Sequence, residues 1–312
     1  MALIIEDLHK RFGSVQALDG ISFTVQPGEV FGFLGANGAG KTTTMRIVLG
    51  LMKPDSGSVT WDGRPAHDWP RRTWGYMPEE RGLYAKMPVV DQLVHFASLY
   101  GMSRQRARTE AREWLVRFRI ADKANARLET LSKGNQQKVQ YIATILHGPD
   151  VLLMDEPFVG LDPVNVAMLK AAFLEMRDRG KTLVFSTHQL DQAEELCDSV
   201  AIIDHGRLVT AGSTRDVRRS TGHQVVRVAT ARDDQSWLES MPGVTVTRDG
   251  VDYAEVQVAD GLSPQRILDA AIANGPVLRF EVGDPSLEQV FVERVGALED
   301  DERTLAAAGA VA

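Results

Sequence analysis

Gly35-Ala36-Asn37-Gly38-Ala39-Gly40-Lys41-Thr42 fits the pattern G-x-x-x-x-G-K-[ST] and directly follows Val30-Phe31-Gly32-Phe33-Leu34, an apolar run of strand length. A loop of this kind between a buried strand and a helix holds the phosphates of a nucleoside triphosphate. Its glycines let successive backbone N–H groups turn inward around the β-phosphate. Lys41 reaches toward the β and γ oxygens, and the Thr42 hydroxyl is suited to ligate Mg²⁺. A helix beginning near Lys41 and carried on by Thr43 to Leu49 adds its positive dipole end. The stretch therefore predicts an α/β fold with Gly35, Asn37, Gly38, Gly40, Lys41, Thr42 and Thr43 around a bound nucleotide.

A phosphate loop identifies a ligand and leaves the purpose open, because kinases, GTPases, helicases and transport motors share it. Further along, Leu131-Ser132-Lys133-Gly134-Asn135-Gln136-Gln137 precedes a helical run. Seventeen residues after Gly134 begins Val151-Leu152-Leu153-Met154-Asp155-Glu156-Pro157, an apolar strand that ends in paired acids. A short apolar strand, Thr182 to Phe185, then leads to Ser186-Thr187-His188. Asp155, at the carboxyl end of its strand, stands where a doubly wound nucleotide fold holds Mg²⁺, commonly through water. In this order the motifs resemble the ATPase domain of ABC transporters, over about the first 215 residues.

The resemblance implies ATP as the nucleotide and carries roles to individual residues. Glu156 would be the catalytic base that orients or deprotonates the attacking water, and His188 would hold base and water in line with the γ-phosphate. Two such domains close head to tail in the family. Ser132, Lys133, Gly134 and Asn135 would therefore face the γ-phosphate of a second ATPase subunit, with Ser132 capping the helix and Gly134 allowing close backbone approach. This segment departs from the common Leu-Ser-Gly-Gly-Gln at Lys133 and Asn135, and Lys133 reads equally as a phosphate contact or a solvent-facing lysine. Gly160-Leu161-Asp162-Pro163 resembles the family's D-loop, with Asp162 toward the partner, although a plain turn fits those residues as well. Phe12 lies where the family stacks an aromatic ring on adenine. Glu79, in Gly75-Tyr76-Met77-Pro78-Glu79-Glu80-Arg81, takes the place of the family's glutamine. A carboxylate is a harder Mg²⁺ ligand than an amide and adds negative charge beside Asp155 and Glu156.

At 312 residues, 44% hydrophobic and 25% charged, the chain has the composition of a soluble globular protein longer than one typical domain. No stretch approaches the ~18 uninterrupted apolar residues of a membrane helix. Met1 to Asp7 lack the basic region and cleavage site of a secretory signal, and a single cysteine, Cys197, excludes an internal disulfide and fits a reducing cytoplasm. If the chain drives transport, integral membrane permease subunits must supply the pathway, with this subunit peripheral at the cytoplasmic face of the inner membrane. A net charge of −7 argues against nucleic acid as a partner. Arg71 to Lys133 nonetheless carry thirteen Lys and Arg against seven Asp and Glu, a local +6. In the family that stretch holds the helical subdomain, here about 82–135, which contacts the permease beside anionic lipid; solvated helix faces would give the same excess.

Residues 1–70 read as short strands with turns at Pro27-Gly28 and Asp62-Gly63, and helices dominate from Val89 to Leu128. Leu93, Phe96, Ala97 and Tyr100 recur at helical spacing as core, as do Trp114, Leu115 and Phe118. Strand and helix then alternate to Gly212, with a hairpin turn at Asp204 to Leu208, so the ATPase domain is expected at 1–215 as a parallel sheet with crossover helices. Over 222–296 the reading is a strand Gln224 to Ala229, a short helix near Trp237, and strands Val244 to Thr247 and Val251 to Val258. A helix capped by Ser263 and stopped by Gly275, a strand Val277 to Val282, and a helix after Asp284-Pro285 complete it. That β-α-β-β-α-β order predicts a small α+β ferredoxin-like accessory domain, and 297–312 read as a disordered tail.

Pro-Glu-Glu-Arg-Gly-Leu-Tyr and Leu-Ser-Lys-Gly-Asn are similar to a bacterial group of stand-alone ATPases that serve separate permeases in drug and sodium efflux. The resemblance thus implies an ATP-hydrolysing subunit for export, acting as a dimer. Two alternatives stand beside it: an importer subunit, and a soluble ABC-type ATPase working on ribosomes or nucleic acid. Proteins of the last kind usually join two ATPase domains or insert a long coiled coil, and this sequence has neither.

Overall fold

A computed structural model describes residues 2–80, 82–232, 236–250, 252–259 and 261–296. The chain divides into two compact units, Met1–Gly212 and a second that begins at Ser213. The acidic and alanine-rich end, 297–312, lies outside the described residues, as does Arg81.

The first unit opens with β1 (Leu3–Phe12) and β2 (Val15–Val25), an antiparallel pair turned at Gly13-Ser14. These strands are longer than the sequence suggested. Register shifts after Ile5, Leu8 and Lys10 absorb residues that break the alternation, so a strand of ten continues where a regular one would stop. The elements that follow are β3 (Val30–Leu34), α1 (Lys41–Val48), β4 (Ser56–Trp61), β5 (Arg64–Pro65) and β6 (Trp74–Met77). Helices α2 (Val89–Leu99), α3 (Arg104–Arg117) and α4 (Lys133–Ile145) come next, then β7 (Val151–Asp155), α5 (Pro163–Asp178), β8 (Thr182–Thr187), α6 (Leu190–Leu196), β9 (Ser199–Asp204) and β10 (Arg207–Ser213).

Two sheets result, in the orders β2-β1-β4-β5 and β10-β9-β3-β8-β7-β6. In the second, β9, β3, β8, β7 and β6 run parallel, and β3, β7 and β8 are buried at every residue. Continuous apolar runs are what a sheet covered on both faces requires. One face meets the first sheet, where Phe23 of β2 packs on Phe31 and Phe33 of β3 with ring centroids 5.3 and 5.1 Å apart. Phe158, Phe173 and Phe185 form a second aromatic cluster with Tyr141 of α4. Each buried aromatic contributes about 1.5–3 kcal/mol, so the ends of β3, β7 and β8, which carry the polar motifs, are held firmly from beneath.

Leu93, Ala97, Trp114, Leu115 and Phe118 are core, as their spacing predicts. Tyr100 is not. It lies at the C-terminal end of α2, 36% exposed, where the helix has run out from under its neighbours, and its ring stacks on His147 at 3.9 Å.

The second unit comprises α7 (Thr214–Arg219), β11 (Gln224–Thr230), β12 (Val244–Asp249), β13 (Ala254–Val258), α8 (Pro264–Asn274) and β14 (Val277–Gly283), with helical residues at 287–296. Its sheet is antiparallel in the order β12-β13-β11-β14, as a ferredoxin-like arrangement demands. The helix expected near Trp237 is absent among the described residues: 236–240 are turns. Pro242 follows too closely for a helix to nucleate and run, and Leu238 is fully buried by a turn alone. The strand expected from Val251 begins at Ala254, because Gly250 donates to the Tyr253 carbonyl at 3.1 Å and closes a turn first; Val251 itself lies outside the described residues.

Candidate active site

The end of β3 delivers the loop, and its glycines are required by contact. A Cβ at Gly35 would lie 2.3 Å from the Ile203 carbonyl oxygen of β9, and one at Gly40, φ 107°, would lie 2.6 Å from the Ala17 carbonyl oxygen of β2. Gly40 is also the N-cap of α1 and has no side chain to cover the first N–H groups, which leaves them for an anion. Lys41 is buried and donates Nζ to the carbonyls of Gly35 at 2.7 Å and Ala36 at 3.0 Å. Burial holds this ammonium below the usual lysine range, against the opposing pull of Glu156, Asp155 and Glu79.

The two acids behind the loop are fixed in different ways. Asp155 closes β7 directly beside Ser186 of β8 in the parallel register. It accepts from Thr42 Oγ1 at 2.6 Å on one oxygen and from Ser186 Oγ on the other. Glu156 is the first residue past the strand and has φ 48°, a left-handed conformation uncommon for a side chain of this size. Its backbone N–H donates to the Ser186 carbonyl at 3.1 Å. The resulting turn carries the carboxylate to 2.8 Å from His188 Nδ1 and 3.9 Å from Lys41 Nζ. An ionised carboxylate only accepts, so that contact sets the His188 proton on Nδ1 of a half-exposed ring. Glu156 Oε2 is buried and has no hydrogen-bond partner among the described residues.

These groups surround a cavity of about 220 Å³. Asn37, Gly38, Gly40, Lys41, Thr42 and Thr43 line it from the loop side, and Glu79, Asp155 and Glu156 face them with Ala17 at the rim. One ammonium and three carboxylates therefore converge on a small space floored by backbone N–H groups. A larger groove of about 790 Å³ between α5 and α6 contains none of these residues.

Other residues singled out from the sequence sit elsewhere in the single chain. Ser132 caps α4, accepting from the Asn135 N–H at 3.4 Å; Ser132 and Lys133 are exposed, and neither they nor Gly134 and Asn135 line the cavity. Asp162 caps α5, accepting from the Asn165 N–H at 3.0 Å. Phe12 ends β1 at 45% exposure, with Lys10 Nζ 5.6 Å from its ring centroid. Gly35 touches Ile203 and not the cavity.

Sequence reasoning missed three contributors. Ser186 could have been suspected from its place at the end of an apolar strand beside His188. Gln137 and Gln140 are buried polar residues on α4. Gln137 Nε2 donates to the Pro157 carbonyl at 3.0 Å, one residue past Glu156, and Gln140 Nε2 to the Pro78 carbonyl at 2.6 Å, one residue before Glu79. The helix that begins with Ser132 is thereby fastened to both segments that carry acids into the cavity.

The chain matches the ABC transporter family model over residues 18–159 and the model for the C-terminal domain of DrrA1-3-like ATP-binding proteins over 212–295. It is 43% identical to YhaQ, an ABC transporter ATP-binding protein of Bacillus subtilis (strain 168), across 95% of this chain and 99% of the relative. The daunorubicin/doxorubicin resistance ATP-binding protein DrrA of Streptomyces peucetius is 33% identical across 98% of this chain and 96% of its own length. A solved structure of the ATP binding subunit of an ABC transporter superposes with a TM-score of 0.66 at 33% identity, covering 71% of this chain and 94% of that one. The chain belongs to the ABC transporter ATP-binding proteins, whose ATPase domain binds and hydrolyses ATP.

Proposed function

We propose that this subunit closes head to tail with a second copy, hydrolyses ATP in the two shared sites, and drives a separate membrane permease in the direction of export. The observation that carries the catalytic part is Glu156, held by His188 through Oε1 while buried Oε2 has no hydrogen-bond partner among the described residues, on the cavity that Thr42 and Asp155 also line. ATP phosphates lie along the N–H groups of the loop and α1, and Lys41 exchanges its carbonyl contacts for phosphate oxygens. Glu156 Oε2 takes a proton from the attacking water, and His188 holds Glu156 in place through its Nδ1 contact with Oε1.

The donor set suits Mg²⁺. Thr42, Asp155 and Glu79 are hard oxygen ligands at one cavity, and among the described residues no group of three or more His, Cys, Asp or Glu forms an all-protein cage. Mg²⁺ keeps several waters and takes few carboxylates beside substrate phosphates, and when bound it would offset their charge. Glu79→Gln is expected to retain ATP binding and shift the Mg²⁺ half-saturation of turnover by about threefold or more, since it exchanges a charged ligand for a neutral one. Superimposable Mg²⁺ titrations of variant and wild type would remove Glu79 from the metal site.

The exposed start of α4 with Ser132, Lys133, Gly134 and Asn135 serves the partner's γ-phosphate, Asp162 faces the partner's loop, and Phe12 stacks on the adenine ring. The export reading is supported by likeness to a drug-resistance ATP-binding protein over nearly the whole chain, second unit included. No helix among the described residues is long and apolar enough to cross a membrane. A peripheral position at the cytoplasmic face of the inner membrane, with arginine-rich α3 toward permease and anionic lipid, accompanies this reading.

The test is ATPase activity and mass by light scattering, alone and in membranes containing a candidate permease. A dimer in ATP, turnover that rises with the permease, and outward movement of cargo are expected. Turnover indifferent to the permease but raised by ribosomes or nucleic acid would overturn the assignment.

A further inference from the structure

β14 is an outer strand of the second unit's sheet, and no strand lies on its far side among the described residues. Against β11 it pairs in unbroken register from Gly283 back to Arg279, and Leu278 then falls out as a bulge before Val277 meets Thr230. Open edges are templates for further pairing, and proteins normally guard them with charge of one sign, proline or a covering segment. This edge is left apolar on one face. Val226 and Val228 of β11 are buried, yet Val282, which pairs with Val226, is 42% exposed, and Leu278 is 72% exposed. The apolar face of the sheet therefore runs out to a rim that is uncovered at Val282 and Leu278, with Phe280 between them packed against the core. On the opposite face Arg279 and Glu281 stand side by side at 2.6 Å, both about half exposed, with Arg227 joining Glu281 at 3.2 Å.

The order Arg279-Phe280-Glu281 is its own complement when inverted about Phe280. Two copies aligned antiparallel on that residue set Phe280 against Phe280 and each Arg279 directly opposite a Glu281, with Val282 meeting the bulged Leu278. Alternative registers are penalised. A slip of one residue turns the apolar row to the polar face, and a slip of two sets Arg279 against Arg279 or Glu281 against Glu281.

We propose that β14 is a docking edge for a second copy of this chain, joining two four-stranded sheets into one of eight strands about a two-fold axis at Phe280. Its consequence rests on the head-to-tail reading given above. A nucleotide-independent joint in the second unit would keep two ATPase units at high effective concentration while the phosphate sites open and close.

Oxidative cross-linking of the full chain with oxidised glutathione tests the register, with and without ATP and Mg²⁺. The wild type, whose only cysteine, Cys197, is buried, should not cross-link. Opposed residues of an antiparallel pair have Cα atoms about 4.5–5.5 Å apart, within disulfide reach, so Phe280→Cys should cross-link to itself in both conditions. Phe280 packs against the core, so exposed neighbours provide a second arm. Arg279→Cys mixed with Glu281→Cys should cross-link about tenfold faster than either variant alone. Equal rates in the mixture and in each variant alone, or no cross-link at any position, would overturn the pairing. Small-angle scattering with and without ATP separates the two ideas, because head-to-tail closure compacts a dimer that β14 already joins. Register-specific cross-links without ATP-driven compaction would remove head-to-tail closure and keep β14, and ATP-driven compaction without register-specific cross-links would remove β14 alone.

Discussion

Glu156→Gln is expected to keep ATP and to lose about 10²–10⁴-fold in hydrolysis, the range set by loss of a positioned general base. The substitution conserves volume at a buried position and leaves an amide able to meet His188. What disappears is the acceptor at Oε2, the one oxygen of this side chain without a hydrogen-bond partner among the described residues. Affinity for ATP should hold or rise, since one of three carboxylates facing the phosphates is neutralised and Lys41 remains in place. ATP that binds and does not turn over should accumulate closed dimers. Single-turnover hydrolysis, equilibrium nucleotide binding and mass in ATP check the three parts separately. Wild-type turnover in the variant would strip Glu156 of its role. A large loss of binding would mean that the carboxylate acts in holding the loop, through its 3.9 Å approach to Lys41.

The parts of the site legible in the sequence are those marked by a local pattern of neighbouring residues. Val30 to Thr42 had to form strand, loop and helix, because apolar run, glycines and helix start come in immediate succession. Asp155 and His188 were readable for the same reason, each ending a short apolar strand. Ser186 was not, because its bond to Asp155 depends on the register of β7 against β8, set by packing of segments thirty residues apart in sequence. The left-handed turn at Glu156 was equally hidden. Glycine advertises a positive φ, whereas a glutamate held there by the Ser186 carbonyl does not. In the second unit, the short helix expected near Trp237 is a turn at 236–240, because Pro242 leaves too few residues for a helix to run. Ser132 to Asn135 begin α4 and do not line the cavity, so no contact within one chain expresses a role for them, and that role rests on the proposed second copy.

Gly40→Ala and Gly38→Ala should separate two reasons for a glycine in one loop. Both positions have positive φ, 107° and 85°, and alanine at either incurs about 1 kcal/mol or more of backbone strain. Their surroundings differ. Nothing lies within 4 Å of a Cβ at Gly38, whereas a Cβ at Gly40 meets the Ala17 carbonyl oxygen at 2.6 Å and Leu18 Cδ2 at 2.7 Å. Leu18 is fully buried, and the Ala17 carbonyl belongs to β2, whose neighbour Asp19 donates to the Gly206 carbonyl in the β9–β10 turn. Gly206 in turn donates to the Ala39 carbonyl at 3.1 Å, so loop, β2 and turn brace one another and the oxygen has nowhere to retreat. Overpacking of this kind costs a further 1–3 kcal/mol or so, which predicts a total near 2–4 kcal/mol for Gly40→Ala against about 1 for Gly38→Ala. The geometry lost is also worse placed, because α1 begins at the next residue and carries Lys41 and Thr42 in its first turn. Displacing these by about 1 Å is enough to lose about 100-fold in the rate of hydrolysis, while Gly38→Ala should stay within about tenfold of wild type. Thermal unfolding and single-turnover hydrolysis on both variants give the comparison. Equal losses at the two positions would mean that flexibility, and not contact with β2, is what this loop requires of its last glycine.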